Sequence, residues 1–323
     1  MNLEKLINIH LTGKIHTVEV VSRFIDVEQF GKLEKFSGVT YCTQKIDGET
    51  GELITKFRFN PEVYNGGKVD NLALFHKLLN QLMYDIGVGN DYLIARIDFA
   101  LDDYDNEFDD YAKLNRFLLS LLSISNDMDN RYESKDFLTL TNLNIKVINR
   151  SRSFEVEAYN KQIEVKRQGK HTAVKSRLEF RKSQIDRSHY KTDVFSGTVN
   201  EWVSDLQTAI SKNTIMALED MINGTLAEHY NSTQSQYGGK RAENGSIRNI
   251  NLFIQSHQQY IYSKRQLIKL YELLGVSEPR KHADNYKRNY RIEFFSKKDV
   301  QRYVRMIKEA AEEYKGNMDY YDI

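Results

Sequence analysis

The segment Arg96–Asp102 reads Arg-Ile-Asp-Phe-Ala-Leu-Asp, and its large apolar side chains recur at every second position. Successive side chains of a β-strand point to opposite faces of the sheet, so this spacing predicts a strand. Ile97, Phe99 and Leu101 would face a core, while the charged side chains would share the opposite face. The segment therefore predicts a sheet with one apolar face and one charged face.

Two later segments show the same alternation. Phe154–Lys161 reads Phe-Glu-Val-Glu-Ala-Tyr-Asn-Lys, and Arg177–Arg181 reads Arg-Leu-Glu-Phe-Arg. If all three segments pair in one sheet, its polar face collects carboxylates, arginines and a tyrosine. Metal-assisted phosphoryl transfer to a tyrosine needs this set of groups. The polar side chains of the two later segments are Glu155, Glu157, Tyr159, Arg177, Glu179 and Arg181.

The composition predicts an ordinary packed protein. The chain has 323 residues, of which 40% are hydrophobic and 28% charged. This length and composition are sufficient for one large domain or for two smaller ones, each with its own core. The single cysteine, Cys42, excludes an intramolecular disulfide and suits a reducing cytoplasm. No apolar run approaches the length of a membrane span, and the first residues do not resemble a signal peptide. We therefore expect a cytoplasmic protein.

The charge is unevenly distributed along the chain. The formal net charge is only +1, yet residues 161–190 hold nine Lys/Arg against three Asp/Glu, and residues 261–310 hold thirteen against six. Because phosphate binding depends on the local field, a nearly neutral chain with such patches can bind nucleic acid. The alternative for each patch is ordinary solvated surface charge.

The hydrophobic periodicity changes near residue 198. Before it, short alternating segments and two amphipathic stretches predict a mostly antiparallel sheet with helices on its apolar face. The basic segment 166–171 is predicted to be a hairpin connection. After residue 198 the pattern is mostly helical, with a polar linker predicted over 231–245 and a short strand over 291–295. This C-terminal part fits either a winged-helix-like module or a helical packing domain, so the fold class is α+β.

Tyr159 is the candidate nucleophile, although it is one of 20 tyrosines. A phenol has a pKa of about 10, so its attack on phosphate needs a nearby cation, a base or a metal-polarised phosphate. Asp98, Asp102 and Glu179 are the candidate ligands of Mg²⁺ or Mn²⁺, since these ions prefer oxygen ligands. The alternative for the carboxylates is ion pairing with neighbouring arginines on an exposed sheet face. The eight histidines are scattered and form no His-hydrophobic-His motif.

The order of these segments resembles the Rep_trans family of rolling-circle plasmid replication initiators, a family shared with some conjugative relaxases. The similar segments lie between about residues 50 and 185, and the resemblance is faint outside them. They are Lys56–Pro61, Ala95–Asp102 with its acidic tail, Glu157–Lys161 and Ser176–Arg181.

The resemblance implies a role for individual residues. Tyr159, in the Tyr-Asn-Lys element, would be the DNA-nicking nucleophile. Asp98 and Glu179 would hold the divalent metal, and Asp102 or Glu157 would be further ligands. Arg96, Arg177 and Lys161 are expected to assist catalysis by neutralising charge. Residues expected to contact DNA are Arg58, Asn160 and Arg181 and, from the basic C-terminal stretch rather than from the resemblance, Lys287, Arg288 and Arg291.

The expected function is site-specific nicking and joining of DNA through a 5′-phosphotyrosyl intermediate at a plasmid origin. Residues 1–195 would form the nicking domain, and 196–323 a helical DNA-recognition or dimerisation region. Expected partners are origin DNA, both duplex and single-stranded, and a second copy of the chain; the resemblance adds a host helicase. Two alternatives remain: a conjugative relaxase with the same chemistry, and a non-catalytic DNA-binding protein.

Overall fold

A computed structural model describes residues 9–89, 91–105, 108–125, 129–130, 144–148, 154–183, 194–211, 213–238, 246–290, 292 and 294–315. The strands are β1 (Leu11–Ser22), β2 (Val39–Ile46), β3 (Leu53–Phe59), β4 (Leu93–Asp103), β5 (Asp129–Asn130), β6 (Asn144–Ile148), β7 (Phe154–Asn160) and β8 (Ser176–Ser183). The helices are α1 (Val27–Leu33), α2 (Pro61–Asn65), α3 (Leu72–Asp85), α4 (Phe108–Ser125), α5 (Lys161–Arg167), α6 (Val194–Ser211), α7 (Thr214–Gly238), α8 (Ile247–Ser256), α9 (Lys264–Leu273), α10 (Pro279–Tyr290) and α11 (Lys297–Lys315), with a 3₁₀ turn at Gln258–Tyr260.

The strands form one eight-stranded sheet in the order β2-β3-β1-β4-β8-β7-β6-β5. Every pair of neighbouring strands is antiparallel in the parts that the structure describes. The helices follow mainly in the C-terminal part. The predicted α+β class is therefore confirmed.

The three alternating segments lie in β4, β8 and β7, which are consecutive in the sheet. Asp98 pairs with Arg181 and Asp102 with Arg177 across β4 and β8. Tyr159 pairs with Arg177 across β7 and β8. Directly paired residues of an antiparallel sheet point to the same face, so these charged side chains and Tyr159 share one face.

The opposite face carries the core. Phe99 on β4 packs edge-on against Tyr314 of α11, with ring centroids 5.5 Å apart. Phe180 on β8 packs against Trp202 of α6 at 4.9 Å. Both helices belong to the region predicted as a separate C-terminal unit, yet they cover the apolar face of the sheet. Packing therefore crosses the predicted boundary at residue 195.

Gly13 on β1 explains how closely α11 approaches the sheet. A Cβ at this position would lie 2.7 Å from the Phe99 ring and 2.8 Å from the carbonyl oxygen of Ala310. Such distances are too short for a real contact, so a side chain here would push α11 away from β1.

The segment after β7 joins two neighbouring antiparallel strands, so the predicted hairpin connection is confirmed, but a helix lies within it. Residues Lys161–Arg167 form helix α5. The side chain of Asn160 accepts a 2.9 Å hydrogen bond from the backbone N–H of Ile163, so it acts as the N-cap. The alternation of β7 ends at Asn160 because this side chain starts a helix.

Two C-terminal predictions are wrong where the structure describes them. The predicted linker is helical up to Gly238, where α7 ends, and within it the Thr233 hydroxyl donates to the His229 carbonyl at 2.7 Å. Residues 239–245 lie outside the described part. In the predicted strand, Ile292, Phe294 and Phe295 are not in a ladder; Phe295 N–H instead donates to the Tyr262 carbonyl at 2.9 Å.

Candidate functional site

Tyr159 and Glu179 meet on the polar face of the sheet. The Tyr159 hydroxyl donates a 2.9 Å hydrogen bond to Glu179 Oε2. Both residues are buried, with 8% of Tyr159 and 2% of Glu179 exposed. The candidate nucleophile therefore already has a carboxylate in contact with its proton.

The surroundings keep this phenol protonated and this carboxylate ionised. Burial, and then the charge of Glu179, raise the pKa of Tyr159. Burial also opposes ionisation of Glu179, but the guanidinium of Arg181 and other cations outweigh it and lower its pKa to about 2. Without a substrate, transfer of the phenol proton to Glu179 is therefore strongly uphill.

Asp102 belongs to a separate, fully enclosed ion cluster. Arg177 donates to its two oxygens through Nε at 2.6 Å and Nη2 at 2.9 Å, and Lys14 Nζ lies 2.9 Å from Oδ2. Lys14 also bonds Glu62 of α2 at 2.7 Å. Burial opposes ionisation of Asp102, but Arg177 and Lys14 outweigh it and lower its pKa. Both carboxylate oxygens of Asp102, which was predicted to bind metal, are therefore already bonded to cationic side chains.

Arg181 connects the remaining carboxylates of this face. Its Nη2 lies 2.7 Å from Glu179 Oε1, and its Nη1 lies 3.0 Å from Glu157 Oε2. The guanidinium also pairs with Glu155, and its Nε lies 3.6 Å from Asp98 Oδ2. Asp98 is itself held by Arg96, whose Nε donates at 2.6 Å. One arginine thus links four carboxylates from three strands.

His16 is a site residue that the sequence interpretation missed. It lies where the β1–β4 register shifts between Ile15 and Thr17. Its Nδ1 is buried and has no hydrogen-bond partner among the described residues. Burial, and then repulsion from Arg177, lower its pKa to about 3, so the ring is neutral at pH 7. His16 and Lys14 were not predicted as site residues because the sequence of β1 does not alternate regularly between polar and apolar residues.

A polar pocket of about 200 Å³ opens beside the tyrosine. One wall is α5, which contributes Ile163 and Arg167, and the other wall is the sheet. Lys161, at the start of α5, holds its ammonium 5.6 Å from the centroid of the Tyr159 ring and pairs with Glu164 at 2.5 Å. The complete lining is Glu157, Tyr159, Asn160, Ile163, Glu164, Arg167 and Arg181.

The carboxylates do not form a ready metal site. In the part of the chain that the structure describes, no group of three or more His, Cys, Asp or Glu residues is placed to hold a metal ion. The two carboxylates expected to hold the metal, Asp98 and Glu179, are both in contact with the Arg181 guanidinium. A divalent ion there would have to displace that guanidinium, so the residues as placed do not fit the predicted Mg²⁺ or Mn²⁺.

The residues predicted to contact DNA lie in three places. Arg58 is on β3, where it pairs with Glu19 at 3.3 Å and covers the Tyr41 ring. Asn160 caps α5 and Arg181 lies in the site. Lys287 and Arg288 are exposed on α10, remote in sequence from the sheet, and Arg291 lies outside the described residues.

A comparison with protein-family models finds no match to this chain, and a comparison with curated proteins finds none either. Within the described ranges, no helix combines the length and apolar character needed to cross a membrane.

Proposed function

We propose that this chain nicks and rejoins DNA through Tyr159, as an initiator of rolling-circle replication similar to the Rep_trans family. The observation that carries the proposal is the hydrogen bond from the Tyr159 hydroxyl to Glu179 at the wall of a polar pocket. A nucleophile, a proton acceptor and a space for substrate then lie side by side, as covalent catalysis on a phosphodiester requires.

The proposed step is a transesterification. Tyr159 Oη attacks the phosphorus of one phosphodiester, and its proton passes to Glu179. The bond from phosphorus to the 3′ oxygen breaks, and that oxygen takes a proton from solvent. The products are a 5′-phosphotyrosyl link and a free 3′-OH, and the reverse reaction rejoins the strand. No step is assigned to a metal, because the carboxylates as placed do not fit one.

Cations around the pocket support this assignment. Arg167 lines the pocket and can bind the phosphate oxygens that gain negative charge in the transition state. Arg181 also lines the pocket, and Lys161 lies over the Tyr159 ring, but each would have to exchange a carboxylate partner for the phosphate. Arg177 and Arg96 are engaged with Asp102 and Asp98, so their role is to hold the sheet face in shape.

The test is a nicking assay on a supercoiled plasmid that carries the DNA flanking this chain's own gene. The wild type is expected to relax the plasmid and to leave a protein–DNA adduct that survives denaturing electrophoresis. Tyr159→Phe is expected to abolish both, whereas Tyr84→Phe, at an exposed tyrosine of α3, should behave as wild type. An adduct formed by the Tyr159→Phe protein would exclude Tyr159 as the nucleophile.

One observation favours the alternative of a non-catalytic DNA-binding protein. The carboxylates Asp98, Asp102 and Glu179 all have cationic partners, as a purely structural face would. That alternative predicts that the protein binds DNA but forms no covalent adduct with either single-stranded or plasmid DNA. A conjugative relaxase would give the same adduct as an initiator, and would differ in acting on a transfer origin.

A further inference from the structure

Helices α9 and α10 form a compact pair that the proposed nicking site does not use. They are joined by residues 274–278. Gly275, two residues after the end of α9, has a φ of +73°, which suits a left-handed C-terminal cap. Glu278, the residue before α10, also has a positive φ of 54°. Pro279 then begins α10, where its missing N–H costs no hydrogen bond. The turn therefore has a specified backbone conformation.

Helix α9 lies between α10 and α7. On the α7 side, Lys269 pairs with Asp220 at 2.9 Å, and the side chain of Asn223 donates to the Gln266 carbonyl at 3.0 Å. On the α10 side, the Tyr271 ring lies 6.5 Å from the Tyr286 ring, edge to face. These contacts fix α10 against the rest of the protein through one of its faces.

The other face of α10 is exposed and basic in the described part of the chain. Two of its cations have local partners: Lys281 pairs with Glu278 at 2.8 Å, and Lys287 Nζ lies 5.5 Å from the centroid of the Phe294 ring. Ala283 and Tyr286 are the buried residues of α10, and the side chains between them point outward. The only acid of this helix, Asp284, pairs with Lys264 of α9 at 2.6 Å. The exposed residues of α10 are Arg280, Lys281, Asp284, Asn285, Lys287, Arg288 and Asn289.

The chemistry of this face fits duplex DNA. Four exposed cations can pair with phosphates, and two exposed asparagines can donate and accept hydrogen bonds at the edge of an adenine. A helix of this length is about 18 Å long, and the major groove of B-DNA is wide enough for a helix. The alternative ligand is an acidic protein surface. It would pair with the cations equally well, but it would not offer the two asparagine side chains a repeating set of hydrogen-bond partners as base edges do.

We propose that α9 and α10 are a helix-turn-helix in which α10 is the recognition helix for a specific duplex sequence. In such motifs the second helix enters the major groove while the first one supports it. The turn of five residues is slightly longer than the usual three or four. Asn285 and Asn289 would read bases, and Lys287 and Arg288 would bind phosphates. The inference goes beyond the proposed nicking reaction and does not depend on it.

The experiment selects binding duplexes from a random 30-base-pair library, using the full-length Tyr159→Phe protein so that nicking cannot interfere. An enriched duplex and a scrambled one are then compared by fluorescence anisotropy at several salt concentrations. Asn285→Ala/Asn289→Ala is expected to reduce the preference for the enriched duplex at least tenfold and to leave binding of the scrambled duplex within about twofold.

A second pair of variants tests the phosphate contacts. Lys287→Gln/Arg288→Gln is expected to weaken both duplexes and to reduce the slope of log affinity against log salt by about two. Lys297→Gln/Lys298→Gln, another adjacent pair of exposed cations at the start of α11, is the matched control and should change little. Circular dichroism melting checks that every variant is folded.

Three results would overturn the proposal. The first is a selection that enriches no duplex. The second is an equal loss of duplex affinity in Lys287→Gln/Arg288→Gln and in Lys297→Gln/Lys298→Gln, and the third is tighter binding to single-stranded than to duplex DNA. Because the selection requires no catalysis, its failure leaves the Tyr159 reaction untouched. Conversely, loss of the Tyr159 assignment would leave the binding result standing.

Discussion

Tyr159 and Glu179 lie diagonally across β7 and β8, and a 2.9 Å hydrogen bond joins the phenol to the carboxylate. In the register of these strands Tyr159 faces Arg177, while Glu179 faces Glu157 two pairs further along, on the same face of the sheet. Side chains of diagonal neighbours can meet across a strand pair, especially when one is a long aromatic. The contact therefore follows from strand register, and each proposed catalytic property depends on it.

Glu179→Gln should lower the rate of adduct formation by a factor of about 10² or more, because a neutral amide cannot accept the phenol proton. Glu155→Gln is the matched control, since Glu155 pairs with the same Arg181 but is not among the residues that line the pocket. Single-turnover kinetics on an oligonucleotide carrying the nick site measures both. Equal rates for the two variants would show that Glu179 does not act on Tyr159.

Arg177→Met should destabilise the protein by about 3–5 kcal/mol, because it removes the main partner of a buried carboxylate. The double variant Arg177→Met/Asp102→Leu should recover much of this loss, since no unpaired charge remains at Asp102. Arg58→Met, which breaks a more exposed ion pair with Glu19, should cost less than about 1 kcal/mol. Urea unfolding measures all three. A double variant as unstable as the single one would contradict this account.

Metal dependence stays a prediction from the sequence. If the nicking reaction uses Mg²⁺ or Mn²⁺, activity should disappear in EDTA and return with either ion. The displacement of Arg181 from Asp98 and Glu179 should then accompany ion binding. Mn²⁺ should then raise the melting temperature of the wild type, and Asp98→Asn should reduce this rise. Full activity in EDTA would show that the reaction needs no metal.

His16 should make the fold sensitive to mild acid. Its pKa is about 3 in the folded protein against an ordinary value of 6.5, so the unfolded chain binds the proton more readily between these values. The contribution of the neutral His16 ring to the free energy of unfolding is therefore present above about pH 6.5 and is lost as the pH falls towards 3. The loss from this residue reaches about 2 kcal/mol at pH 5.

The comparison uses His16→Gln, which cannot gain this proton, with His10→Gln at an exposed histidine as the control. Between pH 7 and pH 5, His16→Gln should lose clearly less unfolding free energy than the wild type, and His10→Gln should match the wild type. The same acid sensitivity in all three proteins would show that the His16 ring is not held neutral.

The alternation of polar and apolar residues was enough to predict the sheet, its two faces and the presence of Tyr159 and Glu179 on the same face. It could not predict which charged side chains form ion pairs, because this depends on how the strands are aligned. Asp102 pairs with Arg177 because the two residues lie directly opposite each other on β4 and β8. Helix α5 was missed because Asn160 continues the pattern of a strand while its side chain caps a helix. The pocket wall was missed with it.

The contact between β1 and α11 has a consequence for how the protein is made. Gly13 on β1 meets α11, which follows all the strands in the chain and is therefore synthesised well after them. The ribosome therefore releases most of the sheet before its cover exists, and the apolar faces of β1 and β4 stay accessible during translation. Nascent chains that stop before residue 297 should bind chaperones or aggregate, and chains that extend past residue 315 should be the first to fold into a protease-resistant form.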